Sequence, residues 1–276
     1  MRIYALPAFC MLAVFLLSQP ANAQVNREEP DALQNLGIDE HLGDIIPLDA
    51  RFATSTGDSV EIGDLLEEGK PVLLNPLYYD CPMLCGLVID GVINVVEKME
   101  WKPGKEFTVI SFSIDPKEDA ELAAQSKQNY LSGMDNSVTD GWHFLTGNKP
   151  QIDKLINATG FQYREIEETG EYAHTAAIIL LSPEGKITRY LYGISYNEFD
   201  VRSALYESAD GKIGNTLTKV IMYCYQYDPD SNSYAPLARN IMKLGGLATL
   251  IFLGIFLGLL WLREKRLKTT SKTEFN

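Results

Sequence analysis

Histidine and cysteine are both scarce in this 276-residue chain, with three of the first and four of the second. Only two of the cysteines, Cys81 and Cys85, lie close together. A structural zinc needs about four Cys or His ligands, usually supplied by two closely spaced pairs, so this inventory argues against a zinc ribbon. The Cys-x-x-Cys spacing of a thioredoxin-type dithiol is also missing, because three residues separate Cys81 from Cys85. Basic residues are outnumbered, 24 Lys and Arg against 37 Asp and Glu, giving a formal charge of −13. That balance argues against nucleic acid or an anionic lipid surface as partner. No internal repeat and no low-complexity tract interrupts the chain.

The chain does have two thiols at the end of an apolar run. Val72–Leu77 leads into Tyr78-Tyr79-Asp80-Cys81-Pro82-Met83-Leu84-Cys85. Two thiolates on a loop opening into a helix can converge on one ion, and soft sulfur selects copper(I) over hard cations. Two buried inert cysteines are the plainer reading, since free Cys is among the most buried residue types. The polar Asp80 and the helix-initiating Pro82 point to a loop instead of a core.

Two segments have membrane character. Residues 1–23 have the pattern of a secretory signal: Arg2, an apolar stretch from Phe9 to Leu17, and Ala21-Asn22-Ala23 as a small-x-small cleavage site. Cys10 lies in that stretch and would leave with it, as would Arg2. Three cysteines would then remain, Cys81, Cys85 and Cys224, and an odd number in an exported protein implies a thiol outside any disulfide. Residues 244–262 carry no charge and span about 28 Å as a helix, close to the hydrocarbon thickness of a bilayer. Arg263, Lys265, Arg266, Lys268 and Lys272 follow. The positive-inside rule therefore places residues 263–276 in the cytoplasm and the main domain outside. Gly254 and Gly258 form a small-x-x-x-small pair, a spacing common in membrane anchors whether or not they dimerise.

Between these signals, residues 24–44 read as a polar linker. Short apolar runs then alternate with helical periodicity: strands at Val72–Leu77 and Phe107–Ile114, with a helix between them whose apolar face includes Leu84, Leu87, Val88, Val92, Val95, Val96 and Met99. Helices follow near Ala120–Leu131, Pro150–Ala158 and after Asn197. Strands follow near Trp142–Leu145, Ala176–Leu181 and Ile187–Tyr192, the last two joined by a turn at Ser182-Pro183-Glu184-Gly185. The alternation implies a layered α/β domain, a central mixed sheet flanked by helices.

Four motifs, in order, resemble the SCO/SenC family over residues 45–208: Asp80-Cys81-Pro82-Met83-Leu84-Cys85, Ser111-Phe112-Ser113-Ile114-Asp115-Pro116-Lys117-Glu118-Asp119, Trp142-His143-Phe144-Leu145-Thr146-Gly147, and Tyr172-Ala173-His174-Thr175. The resemblance implies a thioredoxin-like fold and a copper-binding assembly factor for the copper A centre of cytochrome c oxidase. It implies Cys81, Cys85 and His174 as ligands of Cu(I) or Cu(II), with Asp115 as a supporting group. It also implies the copper-bearing oxidase subunit as partner, with another copper carrier as a further one. The expected location is the bacterial inner membrane, single-pass, with the domain in the periplasm.

Two thiolates and an imidazole suit either copper oxidation state, and three protein ligands leave room for metal exchange. The competing function is a thiol-disulfide oxidoreductase acting on oxidase cysteines. One thiolate of Cys81 or Cys85 would attack and the other resolve, the pair forming a disulfide when oxidised. Only copper binding requires His174. His143, between Trp142 and Phe144, reads as structural, and His41 falls in the linker. Asp115 could equally start a turn, and Tyr78 and Tyr79 could shield the loop or pack on the surface. Cys224 lies in a stretch, Thr216–Tyr227, that reads as part of a helical extension over 209–243, on one face with Leu217, Val220 and Ile221. It reads as a buried structural cysteine.

Overall fold

The computed structural model describes residues 36–81, 84–166, 169–210, 221–222, 225–228 and 233–273; of residues 84, 85, 238, 239 and 262–273 it describes the backbone alone. The expected signal at 1–23, Cys10, Pro82, Met83 and Cys224 lie outside the described residues, as does the Cys85 side chain.

The central sheet has seven strands: β1 (Arg51–Thr54), β2 (Ser59–Glu61), β3 (Val72–Leu77), β4 (Thr108–Ser113), β5 (Trp142–Thr146), β8 (Ala177–Leu181) and β9 (Ile187–Tyr192). Their order is β2-β1-β5-β4-β3-β8-β9. β3 and β5 run parallel to β4, while β1, β8 and β9 pair antiparallel with their neighbours. Every residue of β3 and β4 is buried. Central strands covered on both faces are dominated by apolar residues, and here Asn75, Thr108, Ser111 and Ser113 are buried among them. The turn at Ser182–Gly185 joins β8 to β9 as expected, with Gly185 N–H donating to the Ser182 carbonyl at 2.9 Å.

Helices cover the sheet. They are α1 (Leu84–Lys98), α2 (Ala120–Leu131), the short α3 (Asn136–Asp140), α4 (Lys149–Thr159) and α5 (Glu198–Ser208). Side chains cap four of their starts: Asp119, Asp135, Asn148 and Asn197 each accept a first-turn backbone N–H. The buried face of α1 consists of Val88, Ile89, Val92, Val95, Val96 and Met99. Leu87 departs from the expected face and is exposed, lying to one side of the stripe that Val88, Val92, Val95 and Met99 set at helical spacing. Across α1, Gly91 lets the chain after β9 come close: a Cβ there would lie 2.3 Å from the Ile194 carbonyl oxygen.

Two hairpins lie outside the main sheet. One pairs β6 (Tyr163–Ile166) with β7 (Glu171–His174), the other β10 (Tyr225–Asp228) with β11 (Ser233–Pro236). The second corrects the helical reading of Thr216–Tyr227 over its described end. Tyr225-Gln226-Tyr227 alternates aromatic and polar residues with a period of two, and tyrosine favours strands. This hairpin docks on α5 and β9. Phe199 meets Tyr225 at 4.7 Å, the Tyr234 hydroxyl donates to Glu207 at 2.6 Å, and the Arg189 guanidinium lies 4.1 Å from the Tyr227 ring centre.

The described part of the expected linker also differs from its sequence reading, because it is bonded to the domain. Asp39 N–H donates to the Gly160 carbonyl at 2.9 Å, Gly43 N–H to Ile187 at 2.8 Å, and the Thr175 hydroxyl to Leu36 at 2.9 Å. Backbone pairing places no demand on side-chain polarity, so a polar sequence hides it.

After β11 only Leu237 precedes α6 (Ala238–Thr273). Within α6, Asn240–Trp261 is a 22-residue stretch containing 18 residues of mean hydropathy 2.2, long and apolar enough to cross a membrane, and none of those 18 is buried.

Candidate metal and thiol site

Cys81 and Asp115 lie just beyond the C-terminal ends of β3 and β4. Cys81 is half-buried and packs against the core just beyond β3; Cys85 falls in the first turn of α1. The backbone partial charge at a helix N-terminus favours a thiolate. His174 ends β7 and is 5% exposed. Its register partner across the hairpin is Tyr163.

Nδ1 of His174 is 3.0 Å from the Thr175 carbonyl oxygen. A carbonyl can only accept, so Nδ1 carries the proton and Nε2 the lone pair. Burial lowers the pKa of His174 below the ordinary imidazole range, while the Thr175 bond and the nearby Cys81 work in the opposite direction. Cys81 and His174 are thus electrostatic neighbours although 93 positions separate them in the sequence. Aromatic rings enclose the imidazole, with Phe161 at 5.5 Å and Tyr78 at 6.3 Å between ring centres. Tyr172 packs edge-on against Tyr78 at 5.6 Å.

Asp115 begins the loop after β4. Its Oδ1 accepts the Lys117 N–H at 2.8 Å and the Tyr172 hydroxyl at 3.4 Å. Asp115 therefore makes both a turn bond and a link to the strand that carries His174. Tyr79 is a core residue: its ring stacks on Phe144 at 5.7 Å and its hydroxyl shares one proton between the carbonyls of Ser111 and Leu145, at 3.1 and 3.0 Å. Burial drives its pKa well above the usual phenol value.

One contributor escapes the sequence reading. Glu118 turns back on the cysteine loop, accepting Tyr79 N–H at 2.9 Å on one oxygen and Asp80 N–H at 2.8 Å on the other. Its only signal in the sequence is its place in Asp115-Pro116-Lys117-Glu118-Asp119. His143 points away from Trp142 and Phe144, as expected, and burial and Lys127 lower its pKa. The His41 Nδ1 donates to the Ala158 carbonyl at 3.0 Å. Among the described residues no three Cys, His, Asp or Glu side chains form a metal-binding group.

A mixed sheet flanked by helices, with paired cysteines where a central strand meets a helix, defines a thioredoxin-like protein. A family model described as SCO1/SenC matches residues 47–205, and the chain belongs to that family. No curated protein matches it. Among solved structures, a putative electron transfer protein from Aquifex aeolicus is 30% identical, with a TM-score of 0.55 over 62% of this chain and 95% of that one. BsSco, described as a member of the Sco family of cytochrome c oxidase assembly proteins with a disulfide switch, is 20% identical, with a TM-score of 0.50 over 63% of this chain and 98% of its own. Arabidopsis thaliana ScoI, crystallised with copper bound, is 18% identical, with a TM-score of 0.47 over 62% and 97%.

Proposed function

We propose that this protein is a membrane-anchored periplasmic copper chaperone that serves assembly of the copper A centre of cytochrome c oxidase. Cys81, Cys85 and His174 would hold the metal, through two sulfurs and Nε2. The observation that carries the reading is the juxtaposition of Cys81 with a buried imidazole whose Nδ1 proton is committed to a carbonyl. A carbonyl that accepts the other ring proton fixes the tautomer and ring orientation of a metal-ligating histidine. Copper is the cargo, so three protein ligands and a half-buried Cys81 suit a site that must also release it. The apolar Asn240–Trp261 stretch followed by Arg263, Lys265, Arg266 and Lys268 supports a span with the domain on the periplasmic side.

A second reading, thiol-disulfide exchange on oxidase cysteines, is favoured by the position of Cys85 at a helix N-terminus. The two separate in one experiment on full-length protein in detergent. The chaperone reading predicts that Cys81→Ala, Cys85→Ala and His174→Ala each abolish stable copper binding. Retention of copper by any of the three would refute the ligand set, whereas dithiol exchange that survives His174→Ala in a protein without tight copper would establish the reductase.

A further inference from the structure

We propose that Glu118 is a positioning residue for the cysteine loop, holding Cys81 where it can meet His174. The inference rests on the three-ligand reading above and adds a group from outside the ligand set. The two carboxylate oxygens of Glu118 accept consecutive backbone N–H groups, Tyr79 at 2.9 Å and Asp80 at 2.8 Å. Asp80 is the residue immediately before Cys81. Beyond the end of β3, these two amides have no strand partner, so the carboxylate does for the loop what a ladder does for the strand. Two bonds from one planar group to adjacent amides restrict both the position and the direction of the backbone entering Cys81. Bonds to an ionised acceptor are about twice as strong as neutral ones.

The brace is itself anchored. Glu118 lies one residue before Asp119, whose side chain accepts Leu122 N–H at 3.0 Å and fixes the start of α2. Within the same five-residue segment Asp115 accepts from Tyr172 and the Lys117 ammonium reaches Glu165 at 2.8 Å, so the segment also holds both strands of the β6–β7 hairpin. One short acidic stretch thereby spans the distance between the loop that bears Cys81 and the hairpin that bears His174. Partial burial and the nearby Asp115 raise the pKa of Glu118, while its bonds to Ser113, Tyr79 and Asp80 oppose that rise.

The test uses full-length protein in detergent with Glu118→Gln, Glu118→Ala and, as a control, Asp135→Ala. Glutamine keeps the volume but turns an amide N–H₂ toward one of the two N–H donors. Copper affinity, measured by competition with a chelator, is expected to fall about 10–100-fold in both Glu118 variants, the range for outer-shell partners of metal ligands. Asp135→Ala removes a helix cap outside the Asp115–Asp119 segment and is expected to lower the melting temperature without changing copper affinity. In metal-free protein, the iodoacetamide alkylation rate of Cys81 should change in the Glu118 variants and not in the control. Wild-type affinity and alkylation in Glu118→Gln would overturn the positioning role. Failure of wild-type protein to bind copper would instead refute the ligand set, and the alkylation rates would still decide the role of Glu118. Should Glu118→Ala not fold, Glu118→Gln decides alone.

Discussion

Asp115 Oδ1 accepts the hydroxyl of Tyr172 at 3.4 Å, joining the end of β4 to the strand that presents His174. The same oxygen accepts Lys117 N–H at 2.8 Å, so turn and tether share one carboxylate. Substitution can separate them. Tyr172→Phe removes the tether alone and is expected to weaken copper binding by a few-fold while costing under about 1 kcal/mol of stability. Asp115→Ala removes both bonds and is expected to cost more in denaturant unfolding. Equal stability in the two variants would show that the turn bond contributes nothing.

Gly91 is the position where α1 tolerates no side chain. A Cβ would lie 2.3 Å from the Ile194 carbonyl oxygen and 3.0 Å from its carbon, both backbone atoms that cannot rotate away. Gly91→Ala is therefore expected to destabilise by roughly 1–3 kcal/mol, outweighing the gain of about 1 kcal/mol that alanine brings to a helix interior. A variant more stable than the parent in urea melts would contradict that packing.

His143 provides a pH dependence. Burial and the neighbouring Lys127 lower its folded-state pKa below the unfolded value of 6.5, while Glu67 opposes them. Between the lowered value and about 6.5 the unfolded chain binds the proton more readily, so stability rises with pH across that window and is lost as pH falls through it. One proton limits the slope to about 1.4 kcal/mol per pH unit. His143→Gln is expected to flatten the dependence of the melting temperature between pH 7.5 and 5.5. An unchanged slope would assign that dependence to other groups.

What the sequence discloses follows from burial. β3, β4 and β8 lie in the sheet interior with every residue buried, so apolar residues dominate each, although only Ala177–Leu181 is apolar throughout and β3 and β4 bury Asn75, Thr108, Ser111 and Ser113. α1 is legible because Val88, Val92, Val95 and Met99 repeat at helical spacing. β1, β2 and β6 are short and only partly buried, as in Tyr163-Arg164-Glu165-Ile166, and nothing in their composition separates them from loops. The strap at residues 36–45 is invisible for a related reason, since Asp39, Gly43 and Asp44 bind through backbone atoms. Cys81 and His174 stand out as candidates by their motifs, whereas their proximity is a product of topology. Glu118 stays hidden because its partners are the amides of Tyr79 and Asp80, which every residue but proline possesses.

The central claim is that Cys81, Cys85 and His174 form one copper site. The most direct measurement is the copper stoichiometry and the Cu(II) absorption and paramagnetic resonance spectrum of the full-length protein in detergent, beside those of His174→Ala. One copper per chain with a thiolate-to-metal band that disappears in the variant is the predicted result. A fully reduced wild-type protein that takes up no tightly held copper, or a variant whose band is unchanged, would contradict it.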